Sequence, residues 1–86
     1  MSSYRVSLTA SAEKELHRLT GKLISRIITR IERLGSTPRP AGCKKLVGGD
    51  KEWRIRVGDW RVVYEIDDKA KTVNVTRIAH RREAYN

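Results

Sequence analysis

The chain has 86 residues, enough for one small domain with a single modest hydrophobic core. Its 19 lysines and arginines outnumber its 10 aspartates and glutamates and give a formal net charge of +9. This balance favours polyanionic partners such as nucleic acid, an anionic membrane or an acidic protein. No apolar run approaches the ~18 residues of a membrane-spanning helix, and no signal-peptide pattern opens the chain. We therefore expect a cytoplasmic protein without a membrane partner.

The first half of the chain predicts a strand and two helices. Tyr4–Thr9 alternates apolar and polar residues, as a strand does. Thr9 or Ser11 can cap a helix that follows. A second helix is predicted over Lys22–Leu34. The residues that recur at helical spacing are Ala12, Leu16 and Leu19 in the first helix and Ile24, Ile27, Ile28, Ile31 and Leu34 in the second. The short connection at Gly21 indicates a helical hairpin that covers one face of a sheet.

The second half predicts strands separated by turns. Both prolines lie in a loop, Ser36–Gly42, and the segment after it, Cys43–Val47, can begin an extended stretch. The predicted strands and turns that follow are a hairpin over Glu52–Ile66, a turn at Asp67–Lys69, a strand over Lys71–Ala79 and a tail, His80–Asn86. The element order is β-α-α-β-β-β. We expect a single α+β domain over residues 1–86, with an antiparallel sheet covered on one face by the two helices.

The hairpin carries three arginines at alternate positions. Apolar and aromatic residues occupy one set of positions, while Arg54, Arg56 and Arg61 occupy the other. A sheet that buries one face does not need arginines on the second face. Their convergence therefore indicates a surface that binds an anion, although basic residues also discourage pairing at an edge strand.

The second helix has its own row of arginines, Arg26, Arg30 and Arg33, away from its apolar stripe. Such a row is typical of a solvated helix face. Contact with RNA is the alternative.

Several kinds of site are not predicted. Two histidines and one cysteine at scattered positions do not provide the roughly four ligands of a structural zinc site. The Gly48–Asp50 stretch lacks the Lys-Ser/Thr ending of a phosphate-binding loop. Cys43 has no histidine or acid near it in sequence and is interpreted as a small packing residue. We expect no metal and no cofactor.

A second basic cluster lies at the C-terminal end, in Arg77, His80, Arg81, Arg82 and Tyr85. Guanidinium groups bind phosphate oxygens through two nitrogens, and tyrosine stacks on unpaired bases. Histidine exchanges protons near neutral pH. A metal-free ribonuclease needs such parts: cations for the phosphorane and an acid–base pair for the 2′-OH and the leaving oxygen. Taken singly, His80 can equally be a surface residue and Tyr85 a core residue.

Three stretches together resemble the RelE/ParE superfamily of type II toxin–antitoxin toxins, and the RelE branch above all. They are KKL at Lys44–Leu46, WRIRVGDWRVVYEI at Trp53–Ile66 and RIAHRREAY at Arg77–Tyr85. The resemblance covers nearly the whole chain and includes the predicted element order. It implies a metal-independent endoribonuclease that cleaves mRNA in the ribosomal A site. It also implies an acidic cognate antitoxin and binding of operator DNA only as the toxin–antitoxin complex.

The resemblance also implies which residues form the site. The family's basic positions fall on Arg54, Arg56, Arg61 and Arg81, and its C-terminal tyrosine falls on Tyr85. The best-known RelE enzymes have lysines at the first two of these positions. Arginine does not exchange protons as lysine can, so we expect the hairpin arginines to bind the phosphate and His80 and Tyr85 to transfer protons. The residues expected to bind RNA around this site are Lys44, Lys45, Lys51, Arg77 and Arg82.

Two other functions stay open. A ParE-like toxin would share the fold and inhibit DNA gyrase, which does not need the set Arg61, Arg81 and Tyr85. The arginines in place of lysines also allow a catalytically inactive module that binds nucleic acid or the antitoxin.

Overall fold

The computed structural model describes residues 3–47 and 51–82. In chain order their helices and strands are β1 (Arg5–Leu8), α1 (Ala10–His17), α2 (Lys22–Arg33), β2 (Lys44–Lys45), β3 (Glu52–Val57), β4 (Trp60–Asp67) and β5 (Thr72–His80). The predicted α+β class and the two consecutive helices are confirmed. The extended segment after the proline loop contributes only the two-residue strand β2.

The strands form one sheet in the order β1-β5-β4-β3-β2. Neighbours pair antiparallel except for β1 and β5, which run parallel from Arg5 opposite Thr72 to Leu8 opposite Val75. The sheet is therefore mixed, and the prediction of a purely antiparallel sheet needs this correction. The alternation of residues within a strand identifies the two faces of that strand but not the strand that lies beside it. The helical hairpin between β1 and β2 separates these strands, so β1 pairs with β5 at the edge of the sheet opposite β2.

Local contacts explain where the helices begin and end. The Ala12 amide donates to Thr9 Oγ1 at 3.1 Å, which makes Thr9 the N-cap of α1. Gly35 follows α2, and a Cβ atom there would lie 3.1 Å from the Tyr4 carbonyl oxygen and 3.3 Å from Val6 Cγ2. A side chain at this position would require the neighbouring groups to shift by a few tenths of an ångström, so glycine suits the close approach of this turn to the start of the chain.

The core lies between the helices and one face of the sheet. Ile27, Ile31 and Leu34 of the predicted apolar stripe are buried, whereas Ile28 is 38% exposed at its border. The buried sheet residues that face them are Ile55, Val57, Val62, Tyr64, Ile66, Val73, Val75 and Ile78. No helix in the described part of the chain is long and apolar enough to cross a membrane.

The predicted hairpin is confirmed in detail. Val57 pairs with Trp60 across a two-residue turn, and Gly58 has a φ of +61°, a conformation that favours glycine at this turn position. Ile55 opposite Val62 faces the core, so Arg56 opposite Arg61 faces away from the helices. We call the part of that second side formed by β2, β3, β4 and β5 the arginine face; its basic residues are Lys44, Arg54, Arg56, Arg61 and Arg77.

Candidate nucleic-acid interface

The arginine face is built from two cross-strand rows. Lys44, Arg54, Val63 and Arg77 form one row through successive strand pairs. In the next row, Arg56 and Arg61 pair with each other, and Ala79 pairs with Arg61. Directly paired residues have Cβ atoms about 5 Å apart. The structure therefore brings together the three hairpin arginines, as their alternation predicted, and adds Lys44 and Arg77.

The three hairpin arginines differ in burial. Arg61 lies on the inner strand β4 and is only 5% exposed, while Arg54 is half-buried and Arg56 is exposed. Burial of an arginine is costly and occurs where its charge is used. The face therefore combines a fixed inner guanidinium with two outer ones that solvent or a ligand can reach.

A cleft of about 320 Å³ opens beside these residues and brings in a side chain from the helices. Arg54, Arg56 and Lys44 line it together with Arg30 of α2. The sequence favours a solvated helix face for Arg30 and leaves contact with RNA as the alternative. The sequence does contain a signal for this position. Arg30 flanks the buried stripe of Ile27 and Ile31, and a residue beside such a stripe lies where the helix meets the edge of the sheet that it covers.

The ion pairs formed among the described residues do not involve the cations that line this cleft. Asp68 pairs with Arg39 at 2.9 Å, and the Lys51–Asp67 and Arg81–Asp59 pairs are longer, at 4.0 Å. No pair within the described ranges involves the four cleft cations Arg30, Lys44, Arg54 and Arg56. Their charge is therefore available to an external anion.

Two carboxylates lie farther along the same face. Glu52 pairs directly with Glu65, two positions along the strands from Arg54 and Val63 and therefore on the same face. Like charges placed opposite each other are destabilising in a sheet. Glu52 and Lys44 are thus the proton-exchanging side chains that neighbour Arg54 on this face within the described residues.

The placement of His80 differs from the expectation. His80 pairs with Trp60, and the two rings meet edge to face, with centroids 5.5 Å apart and planes at 87°. Trp60 packs against the core on the helix side. His80 therefore lies on the opposite face from Arg54, Arg56 and Arg61, and the expected cluster of these four residues does not form.

Other expected site residues are dispersed. The Arg81 amide donates to the Asp59 carbonyl at 2.7 Å, which holds the start of the tail on the β3–β4 turn. Arg82 is exposed next to it, and Tyr85 lies outside the described residues. Lys45 pairs with Trp53 on the helix side and lines a separate pocket with Lys51. Of the residues expected to bind RNA, Lys44 and Arg77 thus lie on the arginine face.

The described residues contain no group of three or more histidine, cysteine, aspartate or glutamate side chains that could hold a metal ion. Burial raises the pKa of the Tyr64 hydroxyl, which donates to the Pro38 carbonyl at 2.7 Å. Tyr64 is therefore an anchor for the proline loop on the helix side.

The sequence and the fold match those of a known class of toxins. A family model described as the ParE toxin of the type II toxin–antitoxin system parDE matches residues 6–85. The chain belongs to this family, within the RelE/ParE superfamily, and is a type II toxin–antitoxin toxin.

Individual relatives agree with this membership. The chain is 35% identical to Toxin RelE of Mycobacterium tuberculosis over 85 residues, which cover 95% of this chain and 86% of that protein. It is 29% identical to Toxin RelG of the same organism over 86 residues, 95% of each chain. A crystal structure of the archaeal RelE–RelB complex from Pyrococcus horikoshii matches with a TM-score of 0.82 and 27% identity, over 96% of this chain and 99% of that chain.

Proposed function

We propose that this toxin is a metal-independent endoribonuclease that cleaves mRNA in the A site of the ribosome. The observation that carries the proposal is the arginine face, where Arg54, Arg56 and buried Arg61 converge on the side of the sheet away from the helices. Three guanidinium groups on one face, one of them buried, are suited to a phosphate that gains negative charge during a reaction.

The proposed reaction begins with attack of a ribose 2′-oxygen on the adjacent phosphorus. The new bond joins O2′ to phosphorus, the bond from phosphorus to O5′ breaks, and the products are a 2′,3′-cyclic phosphate and a 5′-hydroxyl. Arg54, Arg56 and Arg61 stabilise the phosphorane, because preformed cations need no reorganisation as the charge develops. Arginine does not give up its proton, so other groups must move protons.

We assign proton transfer to Tyr85 and to a neighbour of Arg54, either Lys44 or Glu52. Lysine and glutamate both act as general bases when positioned beside the reacting group. The acceptor takes the 2′-hydroxyl proton, and the donor protonates the leaving 5′-oxygen. His80 is omitted from this set, because its ring packs against Trp60 on the helix side.

The proposed partners are the ribosome carrying mRNA and a cognate antitoxin. The structural relative from P. horikoshii is a complex with RelB, which supports an antitoxin partner for this chain. A toxin with a net charge of +9 favours an acidic antitoxin segment. Operator DNA would be bound only by the toxin–antitoxin complex.

A second candidate function is inhibition of DNA gyrase, because the matching family model carries the ParE description. The two candidates stop different processes in a cell. Ribonuclease action in the A site halts translation first, whereas gyrase inhibition halts replication first and induces DNA damage responses.

Primer extension on a translated message after toxin induction tests the proposal. We expect cuts within ribosome-occupied codons for the wild-type toxin. Arg56→Gln and Arg61→Ala should each lower cleavage by roughly 100-fold, the effect of removing one charge-stabilising donor from an active site. Arg61 is buried, so its substitution can also disturb the fold. Arg56 is exposed, so Arg56→Gln should retain the fold and tests the proposal independently of Arg61→Ala.

Arg5→Gln is the matched control, because Arg5 is an exposed residue on β1 at the opposite edge of the sheet. It should cleave within about twofold of wild type, since a distant surface charge is largely screened. Early arrest of replication without cut codons would favour gyrase inhibition. Ribosome binding without any cut would indicate an inactive binding module.

A further inference from the structure

The basic surface continues beyond the arginine face onto α2. A second cleft, of about 290 Å³, is lined by Arg26, Arg30 and Val57 together with Ser25 and Thr29. Arg30 lines both this cleft and the first one beside Arg54 and Arg56. The two clefts therefore adjoin at one guanidinium group.

The route between the clefts crosses the edge of β3. β2 pairs only with Trp53 and Arg54, so the rest of β3 forms the border of the sheet on that side. Arg26 extends over the β3–β4 turn, because a Cβ atom at Gly58 would lie 3.9 Å from its Nη2 atom. The basic groups thus follow a continuous line from β2 and β3, over the sheet edge, to the first half of α2.

The charges along this line are not neutralised within the described ranges. None of the ion pairs formed there includes Arg26, Arg30, Arg54 or Arg56. Arg26 and Arg30 are also one helical turn apart and repel each other slightly. An external polyanion would remove that cost.

The spacing of these groups is regular. Residues 54 and 56 lie about 7 Å apart along a strand, and residues four apart on a helix have Cβ atoms about 6 Å apart. Successive phosphates of an extended single strand have a similar separation. A row of arginines at this spacing binds a phosphodiester backbone without reading its bases.

We propose that Arg30 and Arg26 form a second binding segment for the phosphate backbone of single-stranded RNA, continuing from the nucleotide held on the arginine face. The inference rests on the proposed ribonuclease function for the direction of the strand. It assigns to the toxin a contact with nucleotides outside the cleaved step. Arg33, on the same helix, lines neither cleft and has no part in this segment.

The test compares two RNA lengths, with 2′-O-methyl oligonucleotides that cannot be cleaved. A trinucleotide covers only the arginine face, whereas a nonamer also reaches α2. We expect Arg26→Gln/Arg30→Gln to weaken nonamer binding by about tenfold or more in fluorescence anisotropy at low salt. The plot of log affinity against log salt should become shallower by about 1.4, or 0.7 for each lost phosphate contact.

Arg18→Gln/Arg33→Gln is the matched control, because it removes the same charge from exposed positions outside the two clefts. It should change nonamer binding by no more than about twofold. The single variant Arg26→Gln, at a residue that lines the second cleft and not the first, should weaken nonamer binding and bind the trinucleotide as well as wild type does. Thermal melting of each variant verifies the fold. Equal nonamer affinities of the two double variants, or an equal loss of trinucleotide and nonamer affinity in Arg26→Gln, would overturn the inference.

Two further outcomes separate this inference from its alternatives. If Arg26→Gln/Arg30→Gln weakens antitoxin binding and leaves nonamer binding unchanged, the surface serves an acidic protein and the inference fails. If the wild-type toxin leaves ribosome-bound mRNA uncut, the proposed ribonuclease function fails. In that case the length-dependent binding still decides whether the second segment binds RNA.

Discussion

Two groups of arginines in this toxin have opposite surroundings. Arg39 donates to both carboxylate oxygens of Asp68, at 3.3 and 2.9 Å, and its guanidinium lies 5.0 Å from the centre of the Trp53 ring. Arg54 and Arg56 form no ion pair with a described residue. The comparison separates an arginine that holds parts of the fold together from arginines whose charge no described carboxylate neutralises.

The Arg39 group also ties distant parts of the chain together. Tyr4 donates to Asp68 at 2.6 Å, so the start of the chain, the proline loop and the β4–β5 turn meet at one carboxylate. Here both the positive and the negative charge come from the chain itself. On the arginine face, Arg54 and Arg56 form no ion pair with a described residue.

The largest effect on cleavage is expected when a carboxylate is placed directly between Arg54 and Arg77 on the arginine face. Val63 lies directly between Arg54 and Arg77, and Val63→Glu would place a negative charge in that row. A charge about 6 Å from the phosphate opposes the transition state by roughly 3 kcal/mol at an effective dielectric constant near 20. That corresponds to about 100-fold slower cleavage of ribosome-bound mRNA in a single-turnover assay.

Val63→Gln is the control, because glutamine has the size of glutamate without its charge. It should cleave at no less than about one third of the wild-type rate, and both variants should melt at similar temperatures. Equal losses for glutamate and glutamine would mean that bulk, rather than charge, matters at this position.

A smaller effect, on stability alone, is expected at the Arg39 group. Asp68→Asn should lower the Tm by a few degrees at pH 7 and leave cleavage within about twofold of wild type, because the affected contacts lie away from the arginine face. The hydrogen bond from Arg39, followed by that from Tyr4, lowers the pKa of Asp68 from 3.8 to about 2.

The sign of the pH dependence follows from this lowered pKa. The charged form of Asp68 stabilises the fold fully above the unfolded-state pKa of 3.8, and this stabilisation is lost as the pH falls through about 2. Thermal melts should therefore show a Tm difference between wild type and Asp68→Asn that is constant above pH 5 and shrinks between about pH 4 and pH 2. Glu32→Gln, at an exposed position of α2, should show no such convergence.

The sequence predicts those parts of the fold that depend on local pattern. The alternation of Ile55 and Val57 with Arg54 and Arg56 defines the faces of the hairpin directly, and the stripe of Ile27 and Ile31 defines the buried side of α2. The parallel pairing of β1 with β5 has no such local signal. It depends on where the helical hairpin returns the chain, which is a property of the packed structure.

The candidate site also combines features that the local sequence pattern predicts with features that depend on the packed structure. Arg30 reaches the cleft only through the docking of α2 on the sheet edge. The position of His80 depends on an irregularity in β5. Tyr64 pairs with Val75, but the preceding residue of β4, Val63, pairs with Arg77, so Thr76 is not paired opposite any residue of β4. This bulge reverses the alternation, which turns Ile78 into the core and Arg77 toward the arginine face. No residue type in the sequence marks the position of the bulge.

The bulge makes His80 the most direct test of which face carries the chemistry. The sequence favours His80 for proton transfer because histidine exchanges protons near neutral pH and arginine does not. Simple alternation from Val73 and Val75 would also place His80 beside the arginines. After the bulge, its ring contacts Trp60 on the helix side.

His80→Ala should therefore leave single-turnover cleavage within about threefold of wild type and lower the free energy of unfolding by about 1 kcal/mol, through the lost ring contact. Tyr85→Phe should slow cleavage without this loss of stability. A rate that falls roughly 100-fold in His80→Ala with an unchanged Tm would return His80 to the catalytic set and would require its ring to reach the arginine face in the ribosome-bound toxin.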